Sequence, residues 1–322
     1  MKKRLPLFVL VLSLSLIFAA ANARGAEIKS AIELSNGYRV DQLDWNIAGN
    51  LAGTNPNVLS ELTWRDIEIY QVNLGLKALI NEGFYVRGAL GYGWIFDGSN
   101  QDSDFQGNNR TGEFSRSNNG TEDRHVVDAS FGMGYQFTLI SGRLRFIPLL
   151  GYSYNQQNLT ITDGFQTIST PGVTPPVGPF PGLASTYKTE WFGPWLGLDL
   201  IVPVNEKITL SGSFEYHWAS YEAEANWNLR RDFAHPTSFE HSADGTGLVL
   251  SLGGRYAFSD RWSLGLNLNY QKLSTDPGID RVYLVNGAIS ETRLNEVNWE
   301  SFAILIGITY RFHIEWPLSN SI

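Results

Sequence analysis

The 322-residue chain contains no cysteine, which excludes disulfide bonds and thiolate metal sites. Charged residues make up only 17% of it, and an acidic excess gives a net charge of -8, so we expect no nucleic-acid partner. Beyond the N-terminus, no apolar run is long enough for a transmembrane helix. The histidines are scattered without metal-ligand spacing, and neither a phosphate loop nor a Gly-x-Ser-x-Gly elbow occurs. We therefore expect no metal and no cofactor.

The first 23 residues have the three parts of a secretory signal peptide. Lys2–Arg4 is basic, Leu5–Phe18 is apolar, and Ala21-Asn22-Ala23 is a small-x-small cleavage site. A membrane anchor is the alternative, but the apolar run is short for a membrane span. We predict a mature chain that starts near Arg24 and works outside the cytoplasm.

Glycine and aromatic residues are abundant, and many of them occur in alternating runs. In Trp262–Tyr270 every second residue is large and apolar, and the residues between are Ser263, Gly265, Asn267 and Asn269. A strand points successive residues to opposite faces, so this strand has one apolar and one polar face. Ten such strands are predicted, near residues 30–47, 58–80, 84–97, 125–139, 144–162, 186–203, 208–226, 246–258, 262–275 and 296–312.

The lengths of the connections indicate which sheet these strands form. Short turns alternate with long polar loops, which are residues 48–57, 98–124, 163–185, 227–245 and 276–295. An even number of strands with short turns at one end and long loops at the other is typical of bacterial outer-membrane barrels. A water-soluble β-sandwich, with the apolar faces in its core, is the alternative.

The resulting prediction is an all-β fold, a ten-stranded antiparallel transmembrane β-barrel with long extracellular loops and short periplasmic turns. It comprises residues 24–312, followed by a C-terminal tail at 313–322. We expect a monomer in the bacterial outer membrane, in contact with its lipid.

Two sets of side chains favour the barrel over the sandwich. Aromatic residues recur at predicted strand ends, where membrane barrels have interfacial girdles; these are Trp45, Trp64, Trp94, Trp218, Trp262, Trp299 and Tyr310. Charged residues fall on the predicted inward face, namely Lys77, Arg87, Asp128, Arg145, Asp199, Glu215, His217, Arg255 and Arg311. In a narrow barrel, opposite charges would pair and plug the interior, which disfavours a wide pore and leaves a narrow one open.

The second long loop carries the sharpest candidate for a functional site. Asp102 and Asp104 are two residues apart in Asp97–Arg124, so in an extended segment they point to the same side. Two adjacent carboxylates at the rim of a barrel can hold a water, bind a cation or remain in solvent.

Several stretches of the chain resemble the omptin family of outer-membrane endopeptidases. They are Leu59–Trp64, Val40–Trp45, Ala89–Trp94 with the following Asp102-Ser103-Asp104, and Gly178–Pro181 with the following Tyr187–Leu198. The resemblance covers nearly the whole mature chain in the order of its strands and loops. The chain also resembles the Protochlamydia outer membrane protein family, from which no protease role follows.

The omptin resemblance implies a ten-stranded barrel with a groove at its extracellular rim. In that family an Asp-x-Asp pair faces an Asp-x-His dyad, and a water held between them attacks the peptide bond. Asp102 and Asp104 match the first pair. The positions expected for the dyad hold Ala225 and Trp227, and the nearest acid and histidine are Asp232 and His235, three residues apart. Asp102, Asp104, Asp232 and His235 are therefore the candidate catalytic residues.

Two functions follow from this partial match. The unmatched dyad favours a non-catalytic surface protein, namely an adhesin, a narrow porin or a structural barrel. The alternative is an aspartate-type surface endopeptidase, for which the acidic rim suits a cationic peptide or protein substrate. Arg110, Arg230 and Arg231 are candidates for contacts with lipopolysaccharide phosphates.

Overall fold

The computed structural model describes residues 27–140 and 142–315, so the predicted signal peptide and residues 316–322 of the tail lie outside it. Within those ranges no helix is long and apolar enough to cross a membrane. The strands are β1 (Glu27–Ile47), β2 (Ser60–Ile80), β3 (Phe84–Gly107), β4 (Thr111–Gly120), β5 (Arg124–Tyr135), β6 (Phe137–Leu139), β7 (Leu144–Ile168), β8 (Gly178–Pro179), β9 (Ser185–Pro203), β10 (Ile208–Asn226), β11 (Phe239–Ala257), β12 (Trp262–Thr275), β13 (Gly278–Tyr283) and β14 (Ile289–Glu315).

These strands close into a ten-membered antiparallel ring, which confirms the predicted fold. In its lower part the order is β1, β2, β3, β5, β7, β9, β10, β11, β12 and β14, and β14 pairs with β1 to close it. In its upper part, β4 takes the place of β5 between β3 and β7, and β13 takes the place of β12 between β11 and β14.

The upper part corrects the prediction that residues 98–124 and 276–295 are loops. β3 continues through Asp102 and Asp104 to Gly107 and returns as β4, and β13 with the start of β14 forms a second hairpin. The strands form there although the sequence is polar, because ladder hydrogen bonds are made by the backbone. Alternation of apolar and polar residues occurs only in the part of a strand that has lipid on one side. A prediction based on this alternation therefore ends each strand where the lipid ends.

The lower ring has an apolar belt on its outside. Outward residues of neighbouring strands, such as Leu264, Leu266, Ile304 and Ile306, are exposed, while the inward Ser263, next to Leu264, is fully buried. This is the alternation expected for strands with lipid on one face.

The predicted aromatic girdle is correct for some residues and wrong for others. Trp94, Trp218 and Trp262 are exposed on the outside, whereas Trp45, Trp64 and Trp299 are buried at 3%, 0% and 1% exposure. In β2, the register with β3 shifts between Arg65 and Ile69, and Asp66 has a positive φ. A bulge of this kind reverses which residues face inward, so Trp64 joins an interior cluster instead of a girdle.

Ion pairs fill the lower interior, as predicted for a narrow barrel. Arg87 lies 3.2 Å from Asp199 and 2.6 Å from Glu215, and Glu215 lies 2.9 Å from His217. Higher up, Arg39 lies 2.6 Å from both Asp41 and Asp128. A wide diffusion channel is therefore not formed by the described residues.

Glycine makes room for the largest side chain of the lower interior. A Cβ atom on Gly132 would lie 2.4 Å from Cη2 of Trp195, and one on Gly151 would lie 2.2 Å from the same ring. Trp195 is 1% exposed and packs under the guanidinium of Arg87, 4.8 Å from the ring centroid. Small residues on β5 and β7 are thus required by the tryptophan on β9.

We predict that Gly132→Ala destabilises the barrel by about 1–3 kcal/mol, the usual cost of overpacking an interior. The urea midpoint of unfolding in detergent measures this effect. Gly254→Ala is the matched control, because a Cβ there meets nothing nearer than a Leu210 atom at 3.8 Å. Equal midpoints for the two variants would contradict the packing argument.

Candidate functional site

The predicted acid pair lies on the inner face of β3, at the rim above the belt. Asp104 stands between Ser60 of β2 and Ser115 of β4 in the register of the sheet. Asp102 stands between Leu62 and Ser117. Both acids are half-buried. The prediction that they point to one side of an extended segment is therefore consistent with the structure.

The surroundings of the pair disfavour two negative charges. Burial raises the pKa of the Asp102 carboxyl well above its ordinary value, and the neighbouring Asp104 charge raises it further. Burial also raises the pKa of Asp104, against the opposing effect of hydrogen bonds from Ser60 and Ser115. The charge of Arg230 lowers both pKa values. A cation near the pair is the means by which both carboxylates can be ionised together.

An aromatic floor closes the barrel beneath the acid pair. Trp64 and Tyr187 stack with ring centroids 5.3 Å apart, and Trp64 is paired in register with Asn100, two residues before Asp102. Below Tyr187, its hydroxyl lies 2.6 Å from that of Tyr221 and 2.8 Å from Nδ1 of His241. The site is a groove with a solid base, not the mouth of a channel.

The loop between β10 and β11 supplies the cation of the site. Arg230 donates two hydrogen bonds to Asp232, at 2.9 and 2.8 Å, and its guanidinium lies 4.0 Å from the ring centroid of Phe233. The hydrogen bonds from Arg230 lower the pKa of Asp232. Asp232 is thus the partner of an arginine whose charge also acts on Asp102 and Asp104.

His235 is held separately from Asp232. Its Nδ1 lies 2.8 Å from Oδ1 of Asn226, and its Nε2 lies 3.2 Å from the backbone oxygen of Arg230. The structure therefore places the two predicted acids together and adds Arg230, but gives Asp232 and His235 different partners. In the described part of the chain, histidine–carboxylate pairs occur elsewhere, at His217–Glu215, His241–Asp280 and His313–Glu27.

One buried histidine lies close to the groove and was not a predicted site residue. His241 is 2% exposed, Nε2 lies 3.2 Å from Asp280, and Asp280 accepts a hydrogen bond from Thr292. It is covered by Trp45 and Phe239, with ring centroids 4.8 and 5.1 Å away. Its partner lies on β13, a short strand without apolar residues confined to one face, and the sequence therefore predicted a loop there and carried no signal for the pair.

Metal chemistry has no ligand set in the described residues. No group of three histidine, aspartate or glutamate side chains in 27–140 and 142–315 could hold a metal ion. The chemistry available at the groove is therefore that of two carboxyls of raised pKa, hydroxyl donors and one guanidinium.

The closed ring, its apolar belt and the groove above a solid floor define an omptin-like outer-membrane β-barrel. The model of the family described as Protochlamydia outer membrane protein matches residues 33–312, and the chain belongs to this family. Its location is accordingly the bacterial outer membrane, with the groove at the end that carries the long hairpins.

One solved structure with an omptin fold agrees with this chain in fold. The outer membrane protease OmpT from Escherichia coli is similar with a TM-score of 0.73 and 14% identity, covering 88% of this chain and 97% of that one. The translocator domain of the autotransporter NalP from Neisseria meningitidis gives a TM-score of 0.34 at 12% identity, covering 94% and 95% of the two chains. A search of curated proteins gave no match. At these identities the likeness to OmpT extends to the fold alone.

We predict that Asp102→Asn stabilises the protein at neutral pH. A raised pKa means that the folded protein binds more protons than the unfolded chain, so stability falls as pH rises above the ordinary aspartate pKa of about 3.9. The amide of the Asp102→Asn variant cannot ionise, so the variant does not lose this stability. Melting temperatures at pH 7 and pH 3 measure it, and the gain should shrink at the lower pH.

Asp260→Asn in an exposed turn is the control for this experiment. A gain at Asp102 that is equally large at both pH values would show that ionisation is not its cause.

Proposed function

We propose that this protein is a non-catalytic surface barrel that binds cationic segments of other molecules in its rim groove. The observation that carries the proposal is the arrangement of charges at the rim: an acid pair of raised pKa faces Arg230, while Asp232 and His235 are bound to different partners. A protease of the omptin kind needs an acid and a histidine acting together on a water.

The acid pair is suited to binding a cation. Asp102 and Asp104 are half-buried above an aromatic floor, where a charge-assisted hydrogen bond is stronger than in water. A lysine or arginine side chain would supply the positive charge that two ionised neighbours require. The partly buried Phe233, whose ring lies against Arg230, offers apolar surface to the stem of such a side chain.

The endopeptidase alternative rests on one specific feature of the same groove. Two carboxyls with raised pKa values beside each other are a common arrangement for acid–base chemistry. For this alternative, His235 would have to leave Asn226 and reach a water above the acid pair.

Lipopolysaccharide contact is a further part of the proposal. Arg110 donates a 2.9 Å hydrogen bond to Glu61, and Arg230 is bound to Asp232. These pairings leave the exposed Arg231 as the arginine we propose for phosphate contact.

The test is binding and cleavage of a dibasic fluorogenic peptide by refolded protein with lipopolysaccharide. We expect binding without cleavage, and Asp102→Asn/Asp104→Asn should weaken binding at least about tenfold, or about 1.4 kcal/mol. Asp97→Asn is the matched control on the same strand, and a peptide with glutamates in place of the basic residues should not bind.

The outcomes separate the two functions. Cleavage by the wild type that is lost in Asp102→Ala and in His235→Ala would replace the binding proposal by the endopeptidase. Absence of both binding and cleavage would overturn both.

A further inference from the structure

A polar cavity of about 200 Å³ lies inside the barrel, at the level of the apolar belt. Its walls carry Arg39 and Asp128 on one side and Arg87, Glu215 and His217 on another. It is separate from the rim groove, because the aromatic floor lies between them.

The cavity contains polar atoms that the protein leaves without a partner. Asn73, Ser130 and Gln271 line it, and the buried Oδ1 of Asn73, Oγ of Ser130 and Nε2 of Gln271 neither accept a hydrogen bond from the described residues nor donate one to them. Each such atom destabilises the folded protein if nothing pairs with it. Hydrogen-bond acceptors and a donor around one cavity indicate a small molecule that can both donate and accept hydrogen bonds.

The charges of the cavity select a neutral guest. Arg39 is already bound to Asp128 at 2.6 Å, and Arg87 to Glu215 at the same distance. His217 is held by Glu215 at 2.9 Å and by Ser153 at 3.1 Å. The lining therefore presents paired charges and free amides and hydroxyls. Water has the required chemistry, and at about 30 Å³ per molecule the cavity has room for about six.

An abrupt change of polarity bounds the cavity on its upper side. Inward residues of a strand are two positions apart. On several strands an inward residue that lines the cavity is polar, and the next inward residue toward the rim belongs to the interior apolar cluster that also contains Trp64 and Tyr187. The steps are Gln71 to Ile69, Gln271 to Leu273 and Ser301 to Trp299. Apolar constrictions exclude water by dewetting, and this is how some channels are closed.

Two tryptophans span this largely apolar layer, and the Nε1 of Trp299 donates a 3.1 Å hydrogen bond to the fully buried Asp41. Trp191 on β9 and Trp299 on β14 are 0% and 1% exposed, with ring centroids 6.2 Å apart. Tyr221 packs on Trp191 at 4.5 Å. Below the cavity the inward face is mixed: Glu33 binds Arg255 at 2.6 Å and Asn267 at 2.9 Å, while Tyr85, Ile147, Leu149 and Trp195 form a separate apolar cluster.

We propose that the barrel holds a water-filled chamber, and that the tryptophan layer above it, not the ion pairs of Arg87, is the seal that keeps the barrel closed. The protein is then a closed pore, and the water in its interior ends at Trp191 and Trp299. This proposal is independent of what binds in the rim groove.

Water permeability of proteoliposomes, followed by stopped-flow light scattering, tests it. The wild type should match protein-free vesicles. Trp191→Ala/Trp299→Ala, made in a Tyr187→Ala background so that the aromatic floor does not close the barrel in its place, should raise permeability at least about tenfold, because it removes the dewetted layer. Tyr187→Ala alone should not raise it. Arg87→Ala should not raise the water permeability, because the Arg87–Glu215 ion pair lines the hydrated chamber and does not block it. Trp262→Ala, on the outer surface, is the matched control for loss of a tryptophan.

Heat-dependent migration of each variant on SDS gels shows whether it is folded, and Trp191→Ala alone serves if the double variant is not. Opening by Arg87→Ala but not by the tryptophan variants would overturn the assignment of the seal. A folded double tryptophan variant that remains impermeable would overturn it as well. A crystal structure in which the atoms around Asn73, Ser130 and Gln271 contact no water would overturn the chamber itself.

Discussion

A backbone that lies in lipid must pair all its hydrogen-bonding groups within the protein, and the rest of this structure depends on that constraint. β14 pairs with the whole of β1, from Glu27 to Ile47, so the ring has no open edge. Once the ring is closed, each strand has an outer and an inner face, and alternation assigns every side chain to lipid or to the interior. The apolar belt and the ion pairs of Arg87 and Arg39 are two consequences of this one closure.

The interior is divided along the barrel axis, and this division shapes the candidate site. Charged and amide side chains fill the lower part, and an aromatic and aliphatic cluster fills the part above. Asp102 and Asp104 lie where the cluster meets solvent, so they are buried enough to have raised pKa values and open enough to meet a ligand. A groove with these properties requires the solid floor, since a water-filled channel beneath the acids would solvate them and remove the shift.

Alternation in the sequence was sufficient to predict the lower ring, and its limits are physical. Trp262 and Leu264 could be placed on the outside because no bulge interrupts their strand. The inward orientation of Trp64 depends on a register shift near Asp66, which reverses the faces and leaves no mark in apolar periodicity. The proximity of Arg230 to the acid pair depends on the path of a loop between distant strands. The pairing of His241 with Asp280 depends on β13, which lies above the lipid and has no apolar alternation confined to one face.

The exchange of strands between the lower and upper rings has a consequence for how such a surface can change. β4 and β13 belong to hairpins that enter the ring only above the lipid, while β5 and β12 complete it below. An insertion or deletion in either hairpin alters the height and chemistry of the rim and leaves the hydrogen-bonded closure in the membrane as it was. The portion above the membrane is thus free to diversify in sequence, while the portion that must insert and fold stays fixed.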